Sequence, residues 1–411
     1  MTATTVLSSF SVLKDHVKLK VVQDATTIDN IVFRLHYRAT FALLLIGSLL
    51  VCSKQFFGDH IKCMTDNTND KKVSAVINSF CFFSSTFTIT KYMNASVLNR
   101  DHIPHPGVGP YTGAEETVHH AYYQWVPFVL FFQAMVFYVP HYLWRGAEGG
   151  RLKRLVSGLH MAALSLQDEK IEVSNDVSIP SKADHKKKIQ LIRNYFVTNL
   201  RVNRTWAYYL GICETLNFLN VILQIYLTNA FLGGAFLDLG MRVIEYNDWT
   251  SRVSPLDMVF PKVTKCIFHK YGSSGGVEKW DALCVMALNI VNEKIYLFLW
   301  FWFIILAIIS GVAVVWRLAT MFVYSRSDRF NRVLFSMACP GKSEPWYALQ
   351  MVRDYHFGDW LFLYYIAKNL DNYAFTELLM QLEEEKASRC TDHYNQTLSM
   401  LNDDEKLFKK V

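Results

Sequence analysis

Charge is scarce in this sequence. Only 19% of its 411 residues are charged, and their +6 balance is too small to point to nucleic acid. Cysteine is sparse: eight residues with no CxxC among them exclude a small disulfide scaffold, a zinc ribbon and a thioredoxin-type site. The first twenty residues lack the apolar core and cleavage site of a secretory signal, so the N-terminus is expected to stay attached and cytoplasmic. No Ser/His/Asp set, carboxylate pair, HExxH or nucleotide fingerprint occurs, and YGSSGG (271–276) lacks the Lys-Ser/Thr ending of a phosphate loop. Nothing here predicts an enzyme, a metal site or a cofactor.

What is present is apolar residues in blocks. Spanning the ~30 Å hydrocarbon layer takes about 20 of them. Residues 122–144, Trp206–Leu232 and Ile295–Trp316 qualify, the last within a span expected over 295–324. A weaker block, Ala39–Ser53, gives a first span over 39–57. Its fifteen residues rise only about 22 Å, too short unless polar residues at one end also enter the membrane. Lys54 follows it directly.

Lys and Arg orient the four spans. The 145–205 segment carries twelve, including the Lys186-Lys187-Lys188 run, read as a solvated helix face, with contact to anionic lipid headgroups as the alternative. Segment 1–38 and the residues after the fourth span are also basic, whereas 58–121 holds five and 233–294 seven. Both termini and the middle loop therefore read as cytoplasmic, with the other two loops outside. Cys63 and Cys81 fall in the first outer loop and Cys266 and Cys284 in the second, each pair with seventeen residues between its members. An even set on the oxidising side is what disulfides require.

Within the spans, polar residues stand out. Glu214, Asn217, Asn220 and Gln224 share one helical face, read as interhelical hydrogen bonding, with pore lining as the alternative. Pro127 and Pro140 remove N–H groups from span two and are expected to free the Tyr123 and Val136 carbonyls. Such breaks survive in lipid only where neighbouring helices re-satisfy the backbone, hence inside an assembly. His102, His105, His119 and His120 cluster near Glu115 and Glu116 and read as solvated loop residues rather than a sensor. Asn94-Ala95-Ser96 is a glycosylation sequon in the first outer loop. The 325–411 tail has apolar residues at helical spacing to about Lys386, and roughly its last twenty residues look disordered.

Tyr122-Tyr123-Gln124-Trp125-Val126 followed by Pro127-Phe128 closely resembles the signature of the innexins, invertebrate gap-junction proteins. FLGGAF (231–236), CIFHKYGSSG (266–275), LNIVNEKIYLFLWFW (288–302) and GDWLFLYYIAKNL (358–370) are similar to the family too.

The resemblance implies an all-α polytopic membrane protein. It has a four-helix bundle, disulfide-linked extracellular loops with some β-structure in the second, and a helical cytoplasmic cap. It implies a plasma-membrane hemichannel subunit that assembles with like or sister innexins, eight per ring rather than six. Such rings dock with those of the adjacent cell to pass ions and small metabolites. It pairs Cys63 with Cys284 and Cys81 with Cys266 and places the pore along span one. With the shortness of that span, this leads to Lys54 and Asp59 near the outer vestibule, the alternative being that Lys54 snorkels to the headgroups and Asp59 caps a loop. A non-junctional large-pore channel and a tetraspan adhesion protein are the alternatives.

Overall fold

A computed structural model of the chain describes residues 26–57, 61–65, 71–101, 103–157, 159, 171–174, 177–179, 182–246, 254–340 and 348–408. The expected positions Asp59 and His102 lie outside the described residues. The described residues fall into two compact units: Asp29–Ala147 with Tyr209–Thr320, and a second drawn mainly from Glu148–Tyr208 and the chain after Met321.

The first unit contains most of four helices long and apolar enough to cross a membrane: Ile31–Gln55, Val126–Glu148, Asn203–Phe231 and Ala287–Val323. The first corrects an expectation. It starts eight residues before the apolar block, so at 25 residues it is not short. Arg34, His36 and Arg38 hid this start from a hydropathy reading, yet the fold finds partners for the polar groups. Asn30 caps the helix by accepting from the Phe33 N–H (2.6 Å), and Arg34 pairs with Asp29 at 2.9 Å. A wide π turn follows at Leu35–Thr40. The Thr40 hydroxyl donates to the Leu35 carbonyl (2.9 Å) and accepts from the Trp302 indole N–H (2.9 Å).

Pro127 is a second correction. Tyr122–Gln124 form a 3-10 turn and the helix proper begins at Val126. Pro127 therefore occupies the first turn, where no N–H is needed and φ is already suitable. No break at the Tyr123 carbonyl follows; Pro140 alone lies inside the helix.

Polar contacts tie each helix to its neighbours. The Ser48 hydroxyl on the first span donates to the Pro127 carbonyl at 2.8 Å, and Gln133 on the second donates to the Thr228 hydroxyl of the third at 2.8 Å. Arg317 on the fourth donates twice to Glu214 of the third (2.6 and 2.7 Å). The third span ends at Gly233 and Gly234, both at positive φ (65° and 88°), where the Gly234 N–H closes onto the Asn229 carbonyl at 2.8 Å.

The same unit holds a five-stranded antiparallel sheet. Its strands are β1 (Lys62–Met64), β2 (Thr86–Ile89), β3 (Thr117–His120), β6 (Val263–Tyr271) and β7 (Val277–Val285), in the order β1-β7-β6-β2-β3. A separate hairpin in the second unit supplies β4 (Ile171–Ser174) and β5 (Val177–Ile179). The expectation of β-structure in the second loop was incomplete, because three strands come from the first. At three or four residues each they are too short to betray a period in sequence.

The second unit packs around aromatics: Phe335 stacks on Phe375, and Trp206 meets Phe362 and Tyr365 edge-on. Lys186, Lys187 and Lys188 are exposed on helix Lys182–Thr198. The tail helix runs Asn372–Phe408, so the disorder expected of the last residues is overturned. That stretch has neither Pro nor Gly and begins with an Arg389–Glu385 pair at 3.2 Å, one turn apart.

The GDW segment docks against the start of the third span. The Asp359 carboxylate, 1% exposed, accepts from the Arg201 N–H and the Asn203 amide, each at 3.0 Å. A Cβ on Gly358 would come 2.5 Å from the Arg204 Cα. Backbone cannot yield as a flexible side chain can, so Gly358→Ala is expected to cost about 1–3 kcal/mol or more. Thermal unfolding of the purified protein checks this; an unchanged midpoint contradicts the close approach.

Candidate functional site

The sheet joins two loops far apart in sequence, and covalent bonds hold it. Cys63 on β1 lies directly opposite Cys284 on β7 and is bonded to it, across 221 residues of chain. Cys81, on helix Lys71–Ser84, is bonded to Cys266 on β6, clamping that helix onto the sheet. Phe80 meets Phe268 edge-on beside this bond, with ring centroids 5.0 Å apart. All four sulfurs are inside the fold, since each cysteine is at most 5% exposed. Such bonds each contribute typically about 2–4 kcal/mol.

The signature residues anchor the second span to this clamp. Tyr123, fully buried, donates its hydroxyl to the Phe82 carbonyl at 3.2 Å, and the Gln124 amide donates to the same carbonyl at 2.6 Å. Phe82 immediately follows the bonded Cys81. Trp125 and Phe128 point the other way, 61% and 64% exposed, as apolar groups facing lipid or a partner do. Val126 is buried at the helix start.

A second anchor escaped the sequence reading. At the head of the fourth span Asn289, Asn292 and Glu293 are buried. The Asn289 amide donates to the Pro261 carbonyl at 2.8 Å, and Lys262 bridges Asp257 (3.0 Å) and Glu293 (3.2 Å). The signal was a polar Asn-x-x-Asn-Glu cluster heading the most apolar span.

On the third span Glu214, Asn217, Asn220 and Gln224 are all buried within the subunit. Glu214 holds Arg317 and also accepts from the Asn30 amide at 2.8 Å. Lys54 is exposed in the last turn of the first span.

The histidines do not act as one group. β3 alternation turns His119 outward and His120 inward, and His105 is exposed. His120 is 2.8 Å from the Thr88 hydroxyl, and burial pushes its pKa down to about 4, with His119 adding to the effect. Glu115 is held down to about 2, first by the Thr112 hydroxyl and then by backbone N–H groups. Asn94 is exposed, and its side-chain oxygen accepts from the Ser96 N–H (3.0 Å) and hydroxyl (2.8 Å).

Four membrane-length helices beneath a disulfide-clamped sheet built from two loops define a tetraspan membrane protein with a rigid domain outside the bundle. Comparison with known proteins narrows the class. The family model described as Innexin matches residues 29–386. The chain is 43% identical to innexin inx7 of Drosophila melanogaster over 382 residues, covering 92% of this chain and 85% of that protein. It is 43% identical to innexin inx2 of Schistocerca americana, covering 87% and 93%. Innexin shaking-B of Drosophila melanogaster is 38% identical, covering 92% and 94%. The chain belongs to the innexin family. Its function is that of an intercellular channel or hemichannel subunit of the plasma membrane, assembled with innexins.

Two predictions follow from the site. Non-reducing peptide mapping should recover Cys63 joined to Cys284 and Cys81 joined to Cys266, and loss of any one of the four should abolish coupling between cells. A Cys63–Cys81 peptide contradicts the clamp.

The second concerns pH. His120 titrates near 6.5 when unfolded but near 4 when folded, so the unfolded chain binds more protons between these values. Its contribution is fully present above pH 6.5 and is lost as pH falls toward 4, by roughly 3 kcal/mol at the end. Hydrogen exchange over residues 86–120, corrected for intrinsic rate, should accelerate across that window and do so less in His120→Gln. Equal acceleration in the two contradicts it.

Proposed function

We propose that eight copies close into a ring, six being the alternative, with ions and small metabolites passing along its centre. The 58–121 and 233–294 loops face outward, and the termini and the 145–205 loop face the cytoplasm. The Lys/Arg distribution supports this orientation. One observation carries the junctional reading: both outer loops are built into one sheet and locked by two disulfides. A preformed surface loses little freedom on meeting its counterpart on the next cell, which favours docking.

The first span lines the passage. Lys54 sits at the outer vestibule. The argument from a short span no longer supports this placement, since the helix is long enough; the exposure of Lys54 in the last turn does. Burial of Glu214, Asn217, Asn220 and Gln224 inside the subunit favours an interhelical role for that face over pore lining. We assign the chain no catalytic reaction and no cofactor.

A second reading, a channel open to the outside rather than docked, is favoured by the exposed Asn94 sequon, because a sugar there suits an undocked surface. Docking geometry leads us to expect Asn94 unmodified in junctional protein. A glycosidase-induced gel shift in protein from junctional plaques, lost in Asn94→Gln, contradicts that.

The vestibule is tested with Lys54→Cys hemichannels. A ring of charges tunes selectivity through every copy at once. A negatively charged thiol reagent should move the reversal potential toward cation preference, and a positively charged one should restore wild-type behaviour. If demonstrated labelling changes neither conductance nor reversal potential, Lys54 lies outside the pore.

A further inference from the structure

Inside the bundle, among the described residues, an incomplete polar cluster opens onto a small cavity. His36, on the first span and fully buried, has its Nε2 2.7 Å from the Ser310 hydroxyl of the fourth. That hydroxyl has a single proton, and it donates this to the Leu306 carbonyl at 2.6 Å. His36 must then carry its own proton on Nε2, which leaves Nδ1 a bare acceptor. Among the described residues no group meets Nδ1. Asn217 on the third span is 3% exposed, and neither atom of its amide head has a protein partner. Buried polar atoms without partners cost about 1–3 kcal/mol each.

These two side chains line the same small cavity, with Asn30, Glu214, Ser310 and Val314 also in its wall. The cavity leaves about 10 Å³ for the centre of a water molecule, close to the least that one water needs. The wall does not suit a cation: its carboxylate, Glu214, is already taken by Arg317 and Asn30. The space is too small for an organic ligand. The unmet chemistry is an acceptor on one helix facing an amide on another.

We propose that this cavity is a binding site for one structural water, which donates to His36 Nδ1 and bonds the Asn217 amide. Through it the first, third and fourth spans share one hydrogen-bonded node. His36 belongs to the π turn Leu35–Thr40. Wide turns of this kind concentrate where a helix bends or acts. The water therefore pins the irregular turn of the first span to its two neighbours.

X-ray radiolytic footprinting of the full-length assembled channel in lipid nanodiscs tests the site, because radicals formed from bound water oxidise the side chains beside it. Phe33 lines the cavity at 1% exposure, and Phe335, at 2% and packed on Phe375, serves as a dry reference. Phe33 should be oxidised at least about fivefold faster than Phe335 if a water is held there. The excess should vanish in Asn217→Leu. It should also vanish in Val314→Ile, which fills the space and leaves every polar group in place. Equal protection of Phe33 and Phe335 in the wild-type channel overturns the proposal. So does a Phe33 rate that neither variant lowers.

Discussion

The interior of a bilayer offers no hydrogen bonds, and most of this structure answers that constraint. The buried Glu214 carboxylate is the clearest case. On its own it would be expelled from a membrane-spanning helix, but Arg317 grips both its oxygens and the Asn30 amide adds a third bond. Arg317 leans from the fourth span, and Asn30 caps the first. One carboxylate thus fixes three helices in register. Removing a partner would strand a buried charge inside the bundle, the costly way to break such a pair.

Outside the bundle the constraint changes and so does the solution. There water competes for every hydrogen bond, and strands of three or four residues cannot hold a sheet alone. Two disulfides supply what the short strands lack, one between facing strands and one from helix to strand. The signature residues Tyr123 and Gln124 then carry the rigidity into the second span through the Phe82 carbonyl. Lys262, between Asp257 and Glu293, does the same for the fourth. An intercellular channel needs this continuity, since a docking surface is useful only if it is held fixed over its pore.

The sequence was legible where one physical signal dominated. Spans two to four stood out as long apolar blocks despite polar interruptions, although the fourth helix begins at Ala287, eight residues before the block at Ile295. The first was misjudged because Arg34, His36 and Arg38 interrupt its hydropathy, and only the fold supplies partners such as Asp29 and Ser310 that make them tolerable. Pro127 was misread for want of an exact helix start; it opens a helix rather than breaking one. Two strands of the first loop, β1 and β2, depend on pairing with residues 221 and 178 positions away, which no local pattern reports. The tail helix past Lys386 is polar enough to pass for disorder, yet it contains neither Pro nor Gly to break it.

The central claim is that a clamped two-loop sheet above a four-span bundle makes this chain a conducting junction between cells. Dual voltage-clamp recording from paired cells that express it, with dye uptake measured in single cells alongside, tests that claim most directly. The account predicts junctional current between the pair that disappears when the disulfides are reduced before contact. Pairs that adhere without passing current, in cells that take up no dye, would contradict it.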